Sequence, residues 1–352
     1  MIADNSVLAD LLKMSRRAGE RFDLVQAGGG NTSAKLPNGN MYVKASGLRL
    51  SDLQSEKSFV LVDNLNLRNA FYKTDWTSFD KKQKEKQAGE LVSSFNMTKD
   101  RKPSIETLLH SILDGFVLHT HPVLVTSYFS GLDAKEKCDS LFSDVALVAY
   151  RTPGIELALE MIDSLKSFQQ KKQKDPKAFI FQNHGLVTFA EKAEDAFQKT
   201  EEICNLLGKE FNFAEEKIAN HISNAIESIT KEAWVTIYSP KSESNSISIN
   251  QKPFFPDAVV FLAAGVLVLV SIEPKKIVEQ IQLYLDTHTI VPRVFYFQNS
   301  LYFSGNTYSK ARESEEVWRL HHIASQKNPN SLSDSEIKYL SHWEAEKYRQ
   351  KV

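Results

Sequence analysis

Residues 104–122 read SIETLLHSILDGFVLHTHP, and the two halves of this stretch carry different periods. From Ser104 to Leu113 the apolar residues fall three and four apart behind a serine of helix-start type, which predicts a helix. The run that follows, FVLHTHP (116–122), reads as a strand. Side chains alternate along a strand, so His119 and His121 project to one face, where a single cation can take a nitrogen from each ring. An H-x-H pair standing alone is more often an ordinary surface strand. Its weight depends on a third ligand, an acid/base and a substrate pocket elsewhere in the chain.

Working outward, the 352 residues exceed one compact core and predict one large domain with an appendage, or two domains. A formal net charge of −1 argues against general nucleic-acid or membrane-surface binding, which needs a basic excess. The two cysteines, Cys138 and Cys204, have no C-x-x-C spacing, so structural zinc on thiolates is excluded and any metal must use histidine and carboxylate. The N-terminus has no uninterrupted apolar core of signal-peptide type. The most apolar run, Ala258 to Val270, is too short to span a bilayer and reads as two buried strands around Ala264-Gly265. The expectation is a soluble, cytoplasmic protein.

An opening amphipathic helix is predicted over Ser6–Phe22, and a strand over Met41–Ala45 that ends in Ser46-Gly47. Asp75–Asp100 is polar and lysine-rich, the pattern of solvated helix. Ala178–Phe189 has two β-rich arms around Asn183-His184-Gly185, the sequence of a tight bend. A long helix is expected from Ala193 to about His221, then a polar linker or exposed hairpin over Ser239–Lys252. After it come a helix over IEPKKIVEQIQLYL, a hairpin over RVFYFQNSLYFSG turning at Gln298-Asn299-Ser300, and helices around Tyr308–Ala324 and Asp334–Arg349. The expected division is 1–228 for the main domain and 229–352 for a small α/β extension.

Four further features bear on chemistry. His184 is the candidate third ligand, since three neutral imidazoles with an open fourth position make a catalytic rather than a structural zinc site; alone it is a turn histidine. Glu106, near the start of the helix feeding the histidine strand, can serve as acid/base, or be a helix-start glutamate favoured by the macrodipole. Gly28 to Ser33 (GGGNTS) can bring backbone N–H groups and the Asn31, Thr32 and Ser33 side chains to an anion, yet it is neither a dinucleotide fingerprint nor a P-loop. Ser46-Gly47 offers a second anion contact or a simple turn.

The ordered set GGGNTSAK, YVKASG, PSIETLLH, HTHP and NHG resembles the class II aldolase/adducin family, the fuculose- and rhamnulose-phosphate aldolases among its members, over residues 5 to 225. YRTPGIELA (150–158), KPFFPDAVVFL (252–262) and HWEAEKYR (342–349) make the final third similar to the aldolase region of rhamnulose-phosphate aldolase/dehydrogenase fusions. The resemblance implies a three-layer α/β/α fold with a mostly antiparallel sheet, and a homotetramer with sites at subunit interfaces. It implies that His119, His121 and His184 bind Zn2+ or another divalent metal and that Glu106 is the acid/base. Gly30, Asn31, Ser46, Gly47 and Ser104 match positions that hold the substrate phosphate. One position departs: Ile105 stands where the family often has a second serine, which removes a possible phosphate hydroxyl.

The implied reaction is reversible retro-aldol cleavage of a ketose 1-phosphate to dihydroxyacetone phosphate and an aldehyde. No Schiff-base lysine is needed, and Lys44 reads as structural or as a distant anion partner. A 4-epimerase on the same fold would carry an aspartate where this chain has Glu106. A sugar-phosphate dehydratase keeps a glutamate there, and an adducin-like interaction module lacks the metal histidines.

Overall fold

The computed structural model describes residues 2–208, 213–239, 252–325 and 330–342. Contacts divide the chain into two units, residues 1–212 and 213–352.

In chain order the first unit runs α1 (Ile2–Gly19), β1 (Asn31–Lys35), β2 (Met41–Lys44), β3 (Phe59–Val62), α2 (Asn64–Lys73), α3 (Lys81–Ser94) and α4 (Thr107–Ile112). It continues with β4 (Phe116–Thr120), α5 (Val123–Tyr128), α6 (Ala134–Leu141), β5 (Val145–Val148), α7 (Ile155–Lys172), β6 (Ala178–Phe181), β7 (Gly185–Ala190) and α8 (Ala193–Leu207). The strands form one sheet in the order β3-β2-β1-β4-β7-β6-β5. Every pair is antiparallel except β5 with β6, so the sheet is mostly antiparallel, as expected.

Helices cover both faces. Val43, Val60, Val117, Phe179 and Val187 point to one face and pack with Leu67, Phe71, Leu108, Leu109, Leu157 and Met161 of α2, α4 and α7. The opposite face is closed by α1 and α8 through paired hydroxyls: Ser15 Oγ lies 2.7 Å from Thr32 Oγ1, and Thr188 Oγ1 donates to the Ala196 carbonyl at 2.8 Å. These are the three layers the sequence led us to expect. The connection from α1 to β1 is pinned by Arg21, 2% exposed, which forms a bidentate pair with Asp23 (3.0 and 2.6 Å) and an ion pair with Glu201.

The second unit comprises α9 (Ala214–Thr230), β8 (Val235–Ser239), α10 (Pro256–Leu262), β9 (Val266–Val268), α11 (Pro274–His288), β10 (Val294–Phe297), β11 (Ser300–Gly305), α12 (Tyr308–Ser325) and α13 (Asp334–His342). Its sheet runs β8-β11-β10-β9, with β9 and β10 parallel. Ile218, Ile222, Ile277, Ile281, Phe295 and Tyr302 make one core; Ala258, Leu262, Val294, Phe303, Ala311 and Trp318 make the other, on alternate residues of the same strands. The β10–β11 hairpin closes through Gln298 (φ 44°) and Asn299 (φ 69°), a two-residue turn with both central residues left-handed.

Four expectations are corrected. The helix expected from Ala193 to His221 is two helices, with α8 capped at Gly208 and α9 beginning at Ala214. The division expected at 228/229 falls inside α9, whose buried Ile218, Ile222 and Ile226 pack with Ile277 and Ile281 of α11; the helix belongs to the second unit. The run AVVFL is not a strand but the body of α10, started by Pro256 at its first helical turn with Asp257 beside it and ended by Ala263 at φ 59°. A short apolar run cannot be told from a buried helix by periodicity, and the proline decides it. Lastly, the helix expected from Ser104 starts at Thr107, so Glu106 occupies its N-cap position and Ser104 precedes it. Most of the 239–252 linker and the end of the helix expected to reach Arg349 lie outside the described residues. No helix among them is long and apolar enough to cross a membrane.

Candidate metal centre

The site forms where the histidine strand leaves the sheet. In β4, Val117 and His119 face the α4 side, and His121 follows with the same parity. The β6–β7 hairpin brings in the third ring. Phe181 pairs with Gly185, Asn183 takes φ 56°, and His184 N–H donates to the Phe181 carbonyl at 3.1 Å, so the turn aims His184 back at β4. The three rings sit with centroids 4.9 Å apart in each pairing, and one nitrogen from each falls within 4.8 Å of the others. His119 and His121 bring their Nε2 atoms to 3.1 Å.

Electrostatics suit a cation. Burial holds His119 well below its ordinary pKa, with the charge of His121 adding to it; burial also lowers His121, and takes His184 down to about 4. Neutral imidazole is the ligating form. Nδ1 of His119 donates to the Leu186 carbonyl at 3.2 Å, which leaves the lone pair on Nε2, the atom that faces the site. Among the described residues, buried His184 Nδ1 and Glu106 Oε1 have no hydrogen-bond partner. An all-imidazole donor set with two such atoms beside it fits a divalent ion such as zinc.

Glu106, 5% exposed, is aimed at the same point: Oε2 lies 3.4 Å from His119 Nε2 and Oε1 3.5 Å from His184 Nε2. Its two oxygens differ, since Oε2 accepts from Asn31 Nδ2 at 2.6 Å while Oε1 accepts from no group. Asn31 reaches it because β1 pairs with β4 in the register Asn31 opposite His119. The other end of that amide meets His110 Nε2, and His110 Nδ1 meets Ser33 Oγ at 2.8 Å. Burial holds His110 well below its ordinary pKa, so the ring is a neutral link in this chain.

Sequence reasoning placed Asn31 among the phosphate contacts. In the structure its amide lies between Glu106 and His110, with Nδ2 donating to Glu106 Oε2 and Oδ1 meeting His110 Nε2. Sequence reasoning gave Ser33 only as an anion donor and passed over His110 and Lys35, although two signals were present: Asn31, Ser33 and Lys35 share a strand face by period two, and His110 lies one helical turn after Glu106.

The other sequence-predicted residues gather at one edge. The Ser46 N–H donates to the Lys102 carbonyl at 2.8 Å and Ala45 bridges Pro103, which sets the exposed Ser46-Gly47 loop beside the segment leading to Ser104. Gly47 has φ 85° and open space around it. Ser104 Oγ accepts from Glu106 N–H at 3.3 Å. Lys44 Nζ donates to the Leu48 carbonyl at 2.7 Å, bracing that loop; burial lowers its pKa, opposed by the charge of Glu106. Ile105 is 72% exposed. In the glycine cluster, a Cβ on Gly29 would meet His121 Nδ1 at 2.8 Å and one on Gly30 would meet the His119 carbonyl at the same distance. Those glycines let the loop pass against the histidine segment.

Two outcomes follow from this packing. A Cβ on Gly185 would lie 2.3 Å from the Thr120 carbonyl and 3.0 Å from His121 Cδ2, so Gly185→Ala must push β7 from β4 and displace a ring of the site. Chemical denaturation should show a loss above about 1 kcal/mol together with weaker metal binding; unchanged stability would refute the contact. Lys35, half-buried, donates to the His110 carbonyl at 2.5 Å, and burial pushes its pKa down to about 7. The unfolded chain binds that proton more tightly, so this group's contribution to stability rises with pH between about 7 and 10.5 and levels off above. Lys35→Met should flatten that part of the profile in denaturation midpoints taken across the range; an unchanged slope would remove Lys35 as its source.

Residues 9–208 match the sequence profile of a family described as Class II Aldolase and Adducin N-terminal domain. A curated relative, the "Uncharacterized oxidoreductase YuxG" of Bacillus subtilis (strain 168), is 28% identical over 204 residues, which cover 54% of this chain and 27% of that protein. The chain thus spans about a quarter of the length of the curated relative it matches. Among solved structures, the N-terminal class II aldolase domain of a conserved protein from Thermoplasma acidophilum is 23% identical, with a TM-score of 0.48, covering 58% of this chain and 93% of that one. An L-fuculose 1-phosphate aldolase is 20% identical, with a TM-score of 0.40, covering 57% and 83%.

Proposed function

Because the chain belongs to the class II aldolase and adducin family, its profile matching residues 9–208, we propose that the first unit is a divalent-metal lyase. The reaction is the reversible retro-aldol cleavage of a ketose 1-phosphate to dihydroxyacetone phosphate and an aldehyde. One observation carries the reading: nitrogens of His119, His121 and His184 converge on a point that a buried carboxylate also faces.

His119, His121 and His184 would hold the ion, zinc in the first instance, through neutral imidazole. When bound, such an ion supplies Lewis-acid polarisation of the substrate oxygens and stabilises negative charge developing there. Glu106 moves the proton. In cleavage the hydroxyl proton of the carbon that becomes the aldehyde is lost to solvent, the bonding pair of the breaking carbon–carbon bond stays with the released carbon, and protonated Oε1 delivers a proton to it. In condensation the same oxygen removes that proton and the new alkoxide takes one from solvent. Asn31 holds Oε2 and so leaves Oε1 as the working atom, while His110 and Ser33 keep the amide from turning over. Gly30, Gly47, Ser46 and Ser104 form the phosphate side. The Ser104 hydroxyl oxygen accepts from Glu106 N–H, which leaves its proton to donate to an anion. A homotetramer with sites at subunit interfaces completes this reading.

The test is release of triose phosphate from a panel of ketose 1-phosphates by metal-loaded protein, followed in a coupled reductase assay. Release that is abolished by a chelator and restored by zinc is the expected result. A fully loaded protein that releases none from any of them would overturn the aldolase reading, and loss of water from the same substrates would point to the dehydratase.

A further inference from the structure

The second unit holds a guanidinium that its own surroundings leave without an acceptor. Arg293 immediately precedes β10, and its carbonyl accepts from Ser304 N–H at 2.8 Å, which anchors the residue to the hairpin. The guanidinium lies over the Trp234 ring, 4.7 Å from its centroid. Beyond this stacking it has no hydrogen bond and no ion pair among the described residues. Burial lowers its pKa to about 10, with only the charge of Glu313 opposing. A guanidinium presents five N–H donors in a fixed fork, and those of the half-buried Arg293 are open to an acceptor.

Arg293 opens on a small cleft whose other walls are Val260 and Phe261 of α10, Asn306, and Lys310 and Ser314 one turn apart on α12. Lys310 brings a second cation, paired with Glu313 at 3.1 Å. Two cations therefore stand against one carboxylate. This is also where α12, an 18-residue helix with no acidic residue in its first turn, begins. The positive end of its dipole adds to the same field. The Ser314 hydroxyl donates back to the Lys310 carbonyl at 3.1 Å, so it shapes the cleft, and Arg293 and Lys310 are the cations that line it.

We propose that Arg293 and Lys310 form a binding site for a small oxyanion, a phosphate or the phosphate group of a monoester. The fork of Arg293 donates to two of its oxygens and the Lys310 ammonium to a third, with Phe261 as a dry wall and Trp234 stacked on the guanidinium. The enclosed space of the cleft is about that of one water, so the oxyanion would sit at its mouth and a whole sugar would not enter. This proposal is independent of the reading of the first unit.

The experiment titrates inorganic phosphate, methyl phosphate and acetate into the full-length protein carrying 15N-labelled tryptophan, and follows the Trp234 indole N–H resonance, assigned with Trp234→Phe. Phosphate should displace it saturably. Arg293→Gln should weaken the apparent affinity by about tenfold or more, the loss of one charge-assisted contact. Lys310→Gln, at a partly exposed position that leaves the Arg293–Trp234 stacking in place, should weaken it several-fold and thus tests the site if Arg293→Gln fails to fold. Displacement by methyl phosphate as well would identify a head-group site, and displacement by inorganic phosphate alone a site for the free ion. No displacement by either, equal affinity in folded Lys310→Gln protein, or a response to acetate matching that to phosphate would overturn the proposal.

Discussion

Glu106→Gln is expected to lower kcat by about 10²- to 10⁴-fold, the range that a positioned acid/base contributes, while metal content stays at the wild-type level. The substitution is nearly isosteric, and the amide oxygen of the new side chain can take the place of Oε2 and accept from Asn31 Nδ2. What is lost is a group that takes and gives a proton at Oε1, the oxygen the protein leaves without a hydrogen bond. The sharp measurement is exchange of solvent hydrogen into the donor substrate, which isolates the proton step from carbon–carbon cleavage. Exchange at the wild-type rate, in protein that still binds metal, would remove Glu106 from this role. Loss of metal along with activity would instead make Glu106 a ligand.

His184→Ala is expected to have the largest effect of all, because it removes one of the three proposed ligands and the ring that faces Glu106 Oε1. Removing a hydrogen bond that merely supports a metal-bound histidine costs about 10- to 100-fold in affinity. Removing the ligand itself should cost more, so metal measured by elemental analysis after dialysis should fall to a trace and turnover should vanish with it. His184 sits in a turn and is largely buried without a structural hydrogen bond from its ring, so the fold should survive. Full metal content in the variant would show that the ion, if one binds, is held elsewhere.

Much of this was legible in the chain. The HTH pattern places His119 and His121 on one face by the period of a strand alone, and Asn183-His184-Gly185 announces a tight bend because Asn and Gly tolerate left-handed backbone. Other features were not. AVVFL reads equally as strand or helix, and only the proline before it and the packing of Ala258 and Leu262 against Phe303 and Trp318 make it a helix. The mirror case is α9, continuous in pattern with α8 but separated from it after Gly208 and packed into the other unit. Asn31 shows the deeper limit. Its type and its neighbours suggest an anion contact, yet its amide is taken by two side chains more than seventy residues away along the chain.

The sequence by itself determined the donor types, their faces on each element and the turn that presents His184, because these follow from local backbone geometry within a few residues. Only the tertiary structure decided that β1 lies beside β4 in the register that sets Asn31 opposite His119, that Glu106 faces the rings of both His119 and His184, and that Oε1 and Oε2 of one carboxylate differ. Those facts depend on strand register and on burial that removes water from Glu106, His110 and His119. Register and burial are properties of segments brought together from across the chain, and no local pattern specifies them.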